Sequence, residues 1–351
     1  MEFTREKLSI PVNFLISMER TGSSMLTAMF NSHSQILSPT EVPFVLYFYR
    51  AYHKKIEWTP QEIDQFTEEF CRLSERNLDL YFSPLSDLKR EMNRLKGNLD
   101  FQALCRLIYL HFLPLKDKGK ITTVIDKQIK YILYAEKIGE MIPGSKFLIL
   151  VRDYRDVIIS WKKRKLGSSI NVAYIAKLWD IYYSEALRSV ENSPERFLII
   201  RYEDLVEDPE SELRKILFFF NLSYSENMLK FNELYLSYIN SMEEKAGSSY
   251  VEKVKDFHSN TLKPVNVKLS GAWKYLLTPS EVQTAQKVAG KTGFKFNYEI
   301  IQGVEKGLSI SDGFAMIKAY WEKKIYLKLY ILAPLWVKMI AKKFRPNVIH
   351  G

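Results

Sequence analysis

The chain has only two cysteines in 351 residues, Cys71 and Cys105, too few for a disulfide framework. Both lie in helix-like segments with apolar neighbours and are expected as reduced core residues. Its five histidines (His33, His53, His111, His258 and His350) are scattered, with no pair at metal-ligand spacing, so no metal site is expected. No stretch reaches the roughly 18 uncharged apolar residues that a membrane span needs. The nearest, Ile325 to Ala341, is interrupted by Lys328, Pro334 and Lys338. The apolar run Val12 to Ile16 is too short for the core of a signal peptide. The expected compartment is therefore the cytoplasm, with the inner face of a membrane as a peripheral alternative. Internal repeats, low-complexity tracts and the G-x-x-x-x-G-K-[ST] loop are also missing.

What is present is ordinary for a globular protein: 46% hydrophobic and 26% charged residues. Lys and Arg outnumber Asp and Glu by ten, which favours phosphates, sulfates, nucleic acid or an acidic membrane without choosing among them. Four short apolar runs predict buried parallel strands: residues 13–17, 121–125, 146–151 and 196–200. Helical patterns separate them, giving βαβ units and an α/β class. Thr59-Pro60-Gln61-Glu62 and Thr278-Pro279-Ser280-Glu281 each combine an N-cap Thr, a Pro at the first helical position and a capping-box Glu. About 100 residues without strand-like alternation divide the first two strands, far more than a crossover requires. They predict a helical insert over about 41–118, placed where α/β enzymes build substrate pockets.

Two turns carry chemistry. After the first strand comes Arg20-Thr21-Gly22-Ser23-Ser24, a small-residue turn opening a helix at Ser23. Such a turn aims backbone N–H groups and a positive helix end at an anion, and Arg20 adds a fixed charge. By itself the turn is equally compatible with an N-capped βα connection. The third strand ends in Arg152, followed by a helix carrying Arg155 and Ser160. Arg152 falls at the carboxyl end of its strand, where ligands bind in open sheets. Arg152 and Ser160 are expected to clamp one phosphate, the alternative being a structural ion pair of Arg152 or Arg155 with Asp153 or Asp156.

Together these segments resemble the sulfotransferases that use 3′-phosphoadenosine 5′-phosphosulfate (PAPS), and most resemble the Golgi-type carbohydrate and tyrosylprotein enzymes. The resemblance implies a P-loop-NTPase-like three-layer domain with a central, mostly parallel sheet, a helical insert and a C-terminal helix. It implies that Arg20, Thr21, Gly22, Ser23 and Ser24 hold the 5′-phosphosulfate, that Arg152 and Ser160 hold the 3′-phosphate, and that Tyr202 of Arg201-Tyr202-Glu203-Asp204-Leu205 lies near the adenine. Asp126-Lys127-Gln128 is similar to an Asn-Lys-Asp segment of the tyrosylprotein enzymes, and Lys263-Pro264-Val265-Asn266 before Trp273 is similar to another of their elements. Glu19 departs from the family, which often has Pro there, and Lys268 is the substitute for an Arg-Lys-Gly element with no clear match.

The resemblance further implies in-line transfer to an acceptor hydroxyl on a glycan, glycolipid or other small molecule, with 3′,5′-ADP as product and no metal. Arg20 and Lys127 would neutralise the bridging oxygens and Glu41 would act as base, with His258 or Ser259 near the leaving group. For Glu41 the alternative is a charge at the start of the helix following Pro43. Residues 1–310 form the expected transferase domain. The remainder, 311–351, reads as one basic, aromatic-rich helix bent near Pro334. That helix either lies on an anionic membrane or packs on the domain or a dimer partner. Competing readings of the whole chain are an atypical P-loop kinase and a non-catalytic anion-binding adaptor. Nucleic acid is not an expected partner.

Overall fold

The structure, a computed structural model, describes residues 7–74, 78–115, 118, 120–164, 171–302, 307–334 and 336–338. The elements in chain order are β1 (Val12–Ser17), α1 (Ser23–Ser32), β2 (Ile36–Leu37), α2 (Phe44–Tyr52), α3 (Pro60–Leu73), α4 (Leu85–Leu95), α5 (Phe101–Leu110) and β3 (Thr123–Lys127). There follow α6 (Ala135–Met141), β4 (Phe147–Val151), α7 (Tyr154–Arg164), α8 (Val172–Asn192), β5 (Phe197–Arg201), α9 (Tyr202–Glu207) and α10 (Pro209–Phe219). The chain continues through α11 (Phe231–Ser241), α12 (Glu243–Ala246), α13 (Ser248–Phe257), α14 (Trp273–Leu276), α15 (Pro279–Phe294) and α16 (Ile310–Tyr320). A π-helical stretch, Trp321–Tyr326, then leads into α17 (Leu327–Leu332).

The sheet order is β2-β3-β1-β4-β5, and every pairing is parallel. Alternation along the strands divides the core in two. Phe14, Ile16, Phe147 and Ile149 face a cluster built with α2–α8 and α15, while Leu15, Ile125, Leu148 and Ile200 face one built with α1, α9, α10 and α11. Period-2 side-chain geometry thus gives helix–sheet–helix layering, the three-layer architecture the sequence implied. On the first face, Phe14, Phe147 and Phe197 stack across β1, β4 and β5 with centroids 5.3 and 5.0 Å apart, in the cross-strand register Phe14↔Phe147↔Phe197.

Some boundaries differ from the sequence reading. β3 begins two residues later than expected, so Asp126 and Lys127 belong to the strand rather than to the segment after it. β2 was not anticipated, since two residues carry no readable period. Its position is fixed by side chains. Asn31 donates to the Ser38 carbonyl and accepts from the Ser38 N–H, and Ser38 Oγ donates to the Ile125 carbonyl at 2.7 Å. The four helices α2–α5 lie between β2 and β3. Both Thr-Pro-x-Glu capping boxes form, at α3 and α15. Cys105 is buried, but Cys71 is exposed on α3, whose inward face is set by Ile63, Phe66, Phe70 and Leu73, so the expectation of two core cysteines fails for Cys71. In place of one helix from Ser311 to Arg345, α16 passes through the π-helical stretch to α17, which stops at Leu332, short of Pro334. Lys342, Lys343, Arg345 and His350 lie outside the described residues. No helix among the described residues is long and apolar enough to cross a membrane.

Phe147 is the middle rung of the aromatic ladder and is fully buried. Phe147→Ala is expected to lower unfolding free energy by about 3–5 kcal/mol, measured by urea denaturation.

Candidate functional site

Residues that follow three neighbouring strands, β1, β4 and β5, converge on one cavity of about 410 Å³. Its lining includes Arg20, Gly22, Ser23 and Ser24 after β1, Arg152 and Ser160 after β4, and Tyr202 after β5. The turn after β1 takes left-handed backbone at Arg20 (φ 70°) and Gly22 (φ 96°). For Arg20 this conformation costs roughly 1–2 kcal/mol, a strain that typically marks a ligand-facing turn. Gly22 has a second constraint, because an added Cβ would lie 2.6 Å from the Tyr202 ring. Gly22 is the N-cap of α1, and no side chain caps that helix end; its first turn carries no acidic residue. Its leading N–H groups therefore point into the cavity region with their dipole uncompensated by a carboxylate.

Arg152 is the centre of the arrangement. It donates to the Leu269 carbonyl at 2.6 Å and to the Arg20 carbonyl at 3.3 Å, and it lies over the Tyr202 ring at 4.3 Å. Its Nε is buried with no hydrogen-bond partner. Arg20 Nε donates to Ser160 Oγ at 3.0 Å, so Ser160 is held by Arg20 rather than directly by Arg152. Burial, then the charges of Arg164 and Arg152, lowers the Arg20 pKa. Cations crowded this closely favour an anion between them. The structural ion pair belongs to Arg155, which is buried and bidentate on Asp153, with its guanidinium 3.6 Å from the Trp273 ring centroid. Asp156 accepts from the Gly271 and Trp273 N–H groups at 2.7 and 2.9 Å, pinning the segment that presents Leu269 to Arg152.

Beside the cavity, Glu41 and Lys127 pair at 2.8 Å. Glu41 lies two residues before Pro43, the N-cap of α2, and not in the first turn of that helix. Next to Lys127, the fully buried Asp126 accepts from Tyr109 Oη at 2.6 Å and Gln128 Nε2 at 3.0 Å. Burial pushes its pKa up to about 7, aided by the Glu41 charge. His258 lines the cavity, and burial followed by the charges of Lys127, Arg20 and Arg164 lowers its pKa to about 4. Glu19 Oε2 and the Tyr182 hydroxyl are buried without hydrogen-bond partners. Burial raises the Tyr182 pKa, followed by the charges of Glu19, Tyr134 and Glu41.

Of the residues expected to hold the nucleotide, two do not line the cavity, and neither do Glu41, Lys127 and Ser259. Thr21 is fully buried and donates its hydroxyl to the Met18 carbonyl, bracing the turn from behind. Lys268 is exposed, its N–H taken by Asn266 Oδ1, and it is not among the lining residues. Lys263, Asn260 and Thr261 do line the cavity. The K-P-V-N element signalled Lys263, but the two polar residues preceding it had no motif to mark them.

Residues 11–226 match the model of the sulfotransferase family. The chain belongs to the sulfotransferase family. Among characterised relatives, protein-tyrosine sulfotransferase 2 of Gallus gallus is 23% identical over 283 residues, covering 77% of this chain and 64% of that protein. A putative protein-tyrosine sulfotransferase of Caenorhabditis briggsae is 30% identical over 125 residues, 34% of this chain and 44% of that protein. The sulfotransferase chain thus spans less than two thirds of these relatives' own lengths. Among solved structures, the sulfotransferase domain from a Synechococcus olefin synthase is 20% identical, with a TM-score of 0.54 over 83% of this chain and 96% of that one. The sulfotransferase domain from the curacin biosynthetic pathway is 21% identical, with a TM-score of 0.51 over 83% and 99%. These likenesses establish a shared fold, and the tyrosylprotein relatives agree with the group that the sequence motifs resembled.

The lowered pKa of His258 sets a pH dependence. Its folded pKa of about 4 lies below the unfolded value of about 6.5, so between these values the unfolded chain binds more protons and stability rises with pH. His258→Gln removes this contribution. On acidification from about pH 6.5 to 4, wild-type protein is expected to lose up to about 3 kcal/mol relative to His258→Gln, measured as paired urea-unfolding curves across that range.

Proposed function

We propose that the chain transfers the sulfuryl group of PAPS in line to an acceptor hydroxyl on a glycan, glycolipid or other small molecule. The observation that carries this reading is the meeting of Arg20, Arg152 and the start of α1, which no side chain caps, around one cavity. Two cationic strand tips in direct contact suit a nucleotide with anionic groups at both ends. The cavity volume is also within the range of small-molecule sites, about 300–1,000 Å³. When bound, PAPS supplies a sulfuryl group in mixed-anhydride linkage; its S–O bond to phosphate breaks as the new S–O bond to the acceptor forms.

In this reading Arg20, Ser23, Ser24 and the Gly22 turn hold the phosphosulfate end, with Thr21 supporting the turn. Arg152 and Ser160 hold the 3′-phosphate, with the Ser160 hydroxyl oriented by the hydrogen bond it accepts from Arg20, and Tyr202 gives an aromatic face near the base. Lys263, and Lys268 from the adjoining turn, add charge on the open side. Arg20 and Lys127 stabilise negative charge on the leaving oxygen, and Glu41, held by Lys127, takes the acceptor proton. Charge is neutralised by protein cations, so no metal takes part.

Two measurements test the reading. Titration calorimetry with 3′,5′-ADP in EDTA should show binding that weakens about 10- to 100-fold in Arg152→Ala, which removes charge-assisted contacts. Absence of heat, or an absolute requirement for Mg²⁺ with ATP in place of the bisphosphate, would exclude it. With ³⁵S-labelled PAPS and an acceptor-containing extract, Glu41→Gln should lower turnover by about 10²- to 10⁴-fold while leaving 3′,5′-ADP affinity within about threefold of wild type, since the carboxylate acts on the acceptor proton. Unchanged label transfer in Glu41→Gln would remove Glu41 from the mechanism.

A further inference from the structure

One side of α16 and of the π-helical stretch after it is tied to α8 and its N-cap residue Asn171. Asn171 Nδ2 donates to Asp312, Tyr174 Oη donates to Glu322 at 2.6 Å, Lys323 lies over the Tyr182 ring, and Lys324 pairs with Glu185. Ala319 is fully buried on that side. The other side presents Ile310, Phe314 and Ile317, spaced four and three residues apart and therefore on one helical face. Ile310, Phe314 and Ile317 are 83%, 70% and 66% exposed. Tyr320, and further along Leu329, Leu332 and Trp336, are exposed as well. A soluble surface rarely leaves so continuous an apolar stripe without a partner.

Charge identifies the partner. Residues 309–351 carry eight Lys or Arg against Asp312 and Glu322, so they hold six of the chain's surplus of ten. Lys328 is exposed along the same helical segment, while the ammonium of Lys318 lies over the Tyr174 ring. A second copy of the chain docking through this face would bring two such basic segments together, and like-charge juxtaposition opposes that pairing. A bilayer with anionic headgroups satisfies both features: acyl chains and the interface take Phe, Trp, Tyr and Ile, and the headgroups take the lysines.

We propose that the outer face of α16 and α17 docks the protein on an anionic lipid bilayer, peripherally and without spanning it. The proposal rests on the exposed face alone and holds or fails independently of sulfuryl transfer. It gives the acceptor side of the proposed site a membrane neighbour, since the same segment packs along α8 at Tyr174 and Tyr182.

The test is flotation of the full chain with vesicles of phosphatidylglycerol and phosphatidylcholine, against vesicles of phosphatidylcholine alone. Wild-type protein should float with the anionic vesicles only, and less as salt is raised. The exposed double variant Phe314→Glu/Ile317→Glu should lose about tenfold or more in partition. It should also keep the wild-type melting temperature and 3′,5′-ADP titration, which shows that the fold is intact. Failure of wild type to float, equal flotation with neutral vesicles, or unchanged flotation of the double variant would each overturn the proposal. A wild-type dimer in sedimentation that the double variant converts to monomer would instead assign this face to a second copy.

Discussion

The site depends on holding two strand tips together while both end in arginine. Arg20 and Arg152 follow β1 and β4, neighbours at the centre of the sheet, and their charges oppose approach. The opposition is overcome by backbone acceptors and by α8. Arg152 donates to the Arg20 carbonyl and to Leu269, so part of its charge is spread over peptide dipoles. Tyr183 accepts from the Met18 N–H and donates to the Leu150 carbonyl, and Trp179, one turn earlier, donates to the Arg152 carbonyl at 2.8 Å. A single helix thus clamps the ends of both strands from the apolar side. What the clamp cannot supply is an anion to balance the guanidinium groups, and that deficit would favour the doubly charged nucleotide proposed for the cavity.

Much of this was legible locally. Each of the four longer strands is a compact apolar run, and each turn residue lies next to its strand in sequence, so Arg20, Ser23, Arg152, Ser160 and Tyr202 could be named before any geometry was known. Thr59 and Thr278 announced their helices because a capping box is complete within four residues. The unread parts all depend on partners distant in sequence. β2 exists through Asn31 holding Ser38 and Ser38 reaching Ile125. Cys71 looked apolar in its neighbourhood, but helix phase turned it to solvent. Lys268 and Lys263 share one short segment, and only the fold of the 260–270 turn decides which of them lines the cavity.

The Asp153-Tyr154-Arg155-Asp156 run shows how one motif divides its labour. Read as a sequence, it leaves open whether Arg152 before it clamps a phosphate with Ser160, or Arg152 or Arg155 pairs with Asp153 or Asp156. The structure gives Arg155 wholly to scaffolding: it is fully buried, chelated by Asp153 and covered by Trp273. Asp156 extends that scaffold to Gly271 and Trp273, fixing the loop whose Leu269 carbonyl orients Arg152. A buried, satisfied ion pair is costly to break because either partner alone would be an uncompensated charge. Strength in the scaffold therefore leaves Arg152, rather than Arg155, to line the cavity.

The region beside the cavity is built on different terms. Glu41 arrives from the segment before α2, Lys127 from the end of β3, and Tyr182 from α8, which α16 and the π-helical stretch cover. Glu19 Oε2 and the Tyr182 hydroxyl are buried there without partners, in a protein where most such atoms are satisfied. Their unmet hydrogen bonds would favour an acceptor rich in hydroxyl groups in the proposed reaction, since each group left unpaired after binding costs about 1–3 kcal/mol. In the proposed reaction nucleotide recognition would therefore rest on short motifs, whereas acceptor choice would be distributed over elements far apart in sequence. That distribution explains how the family signature can be plain in this chain while the acceptor is not.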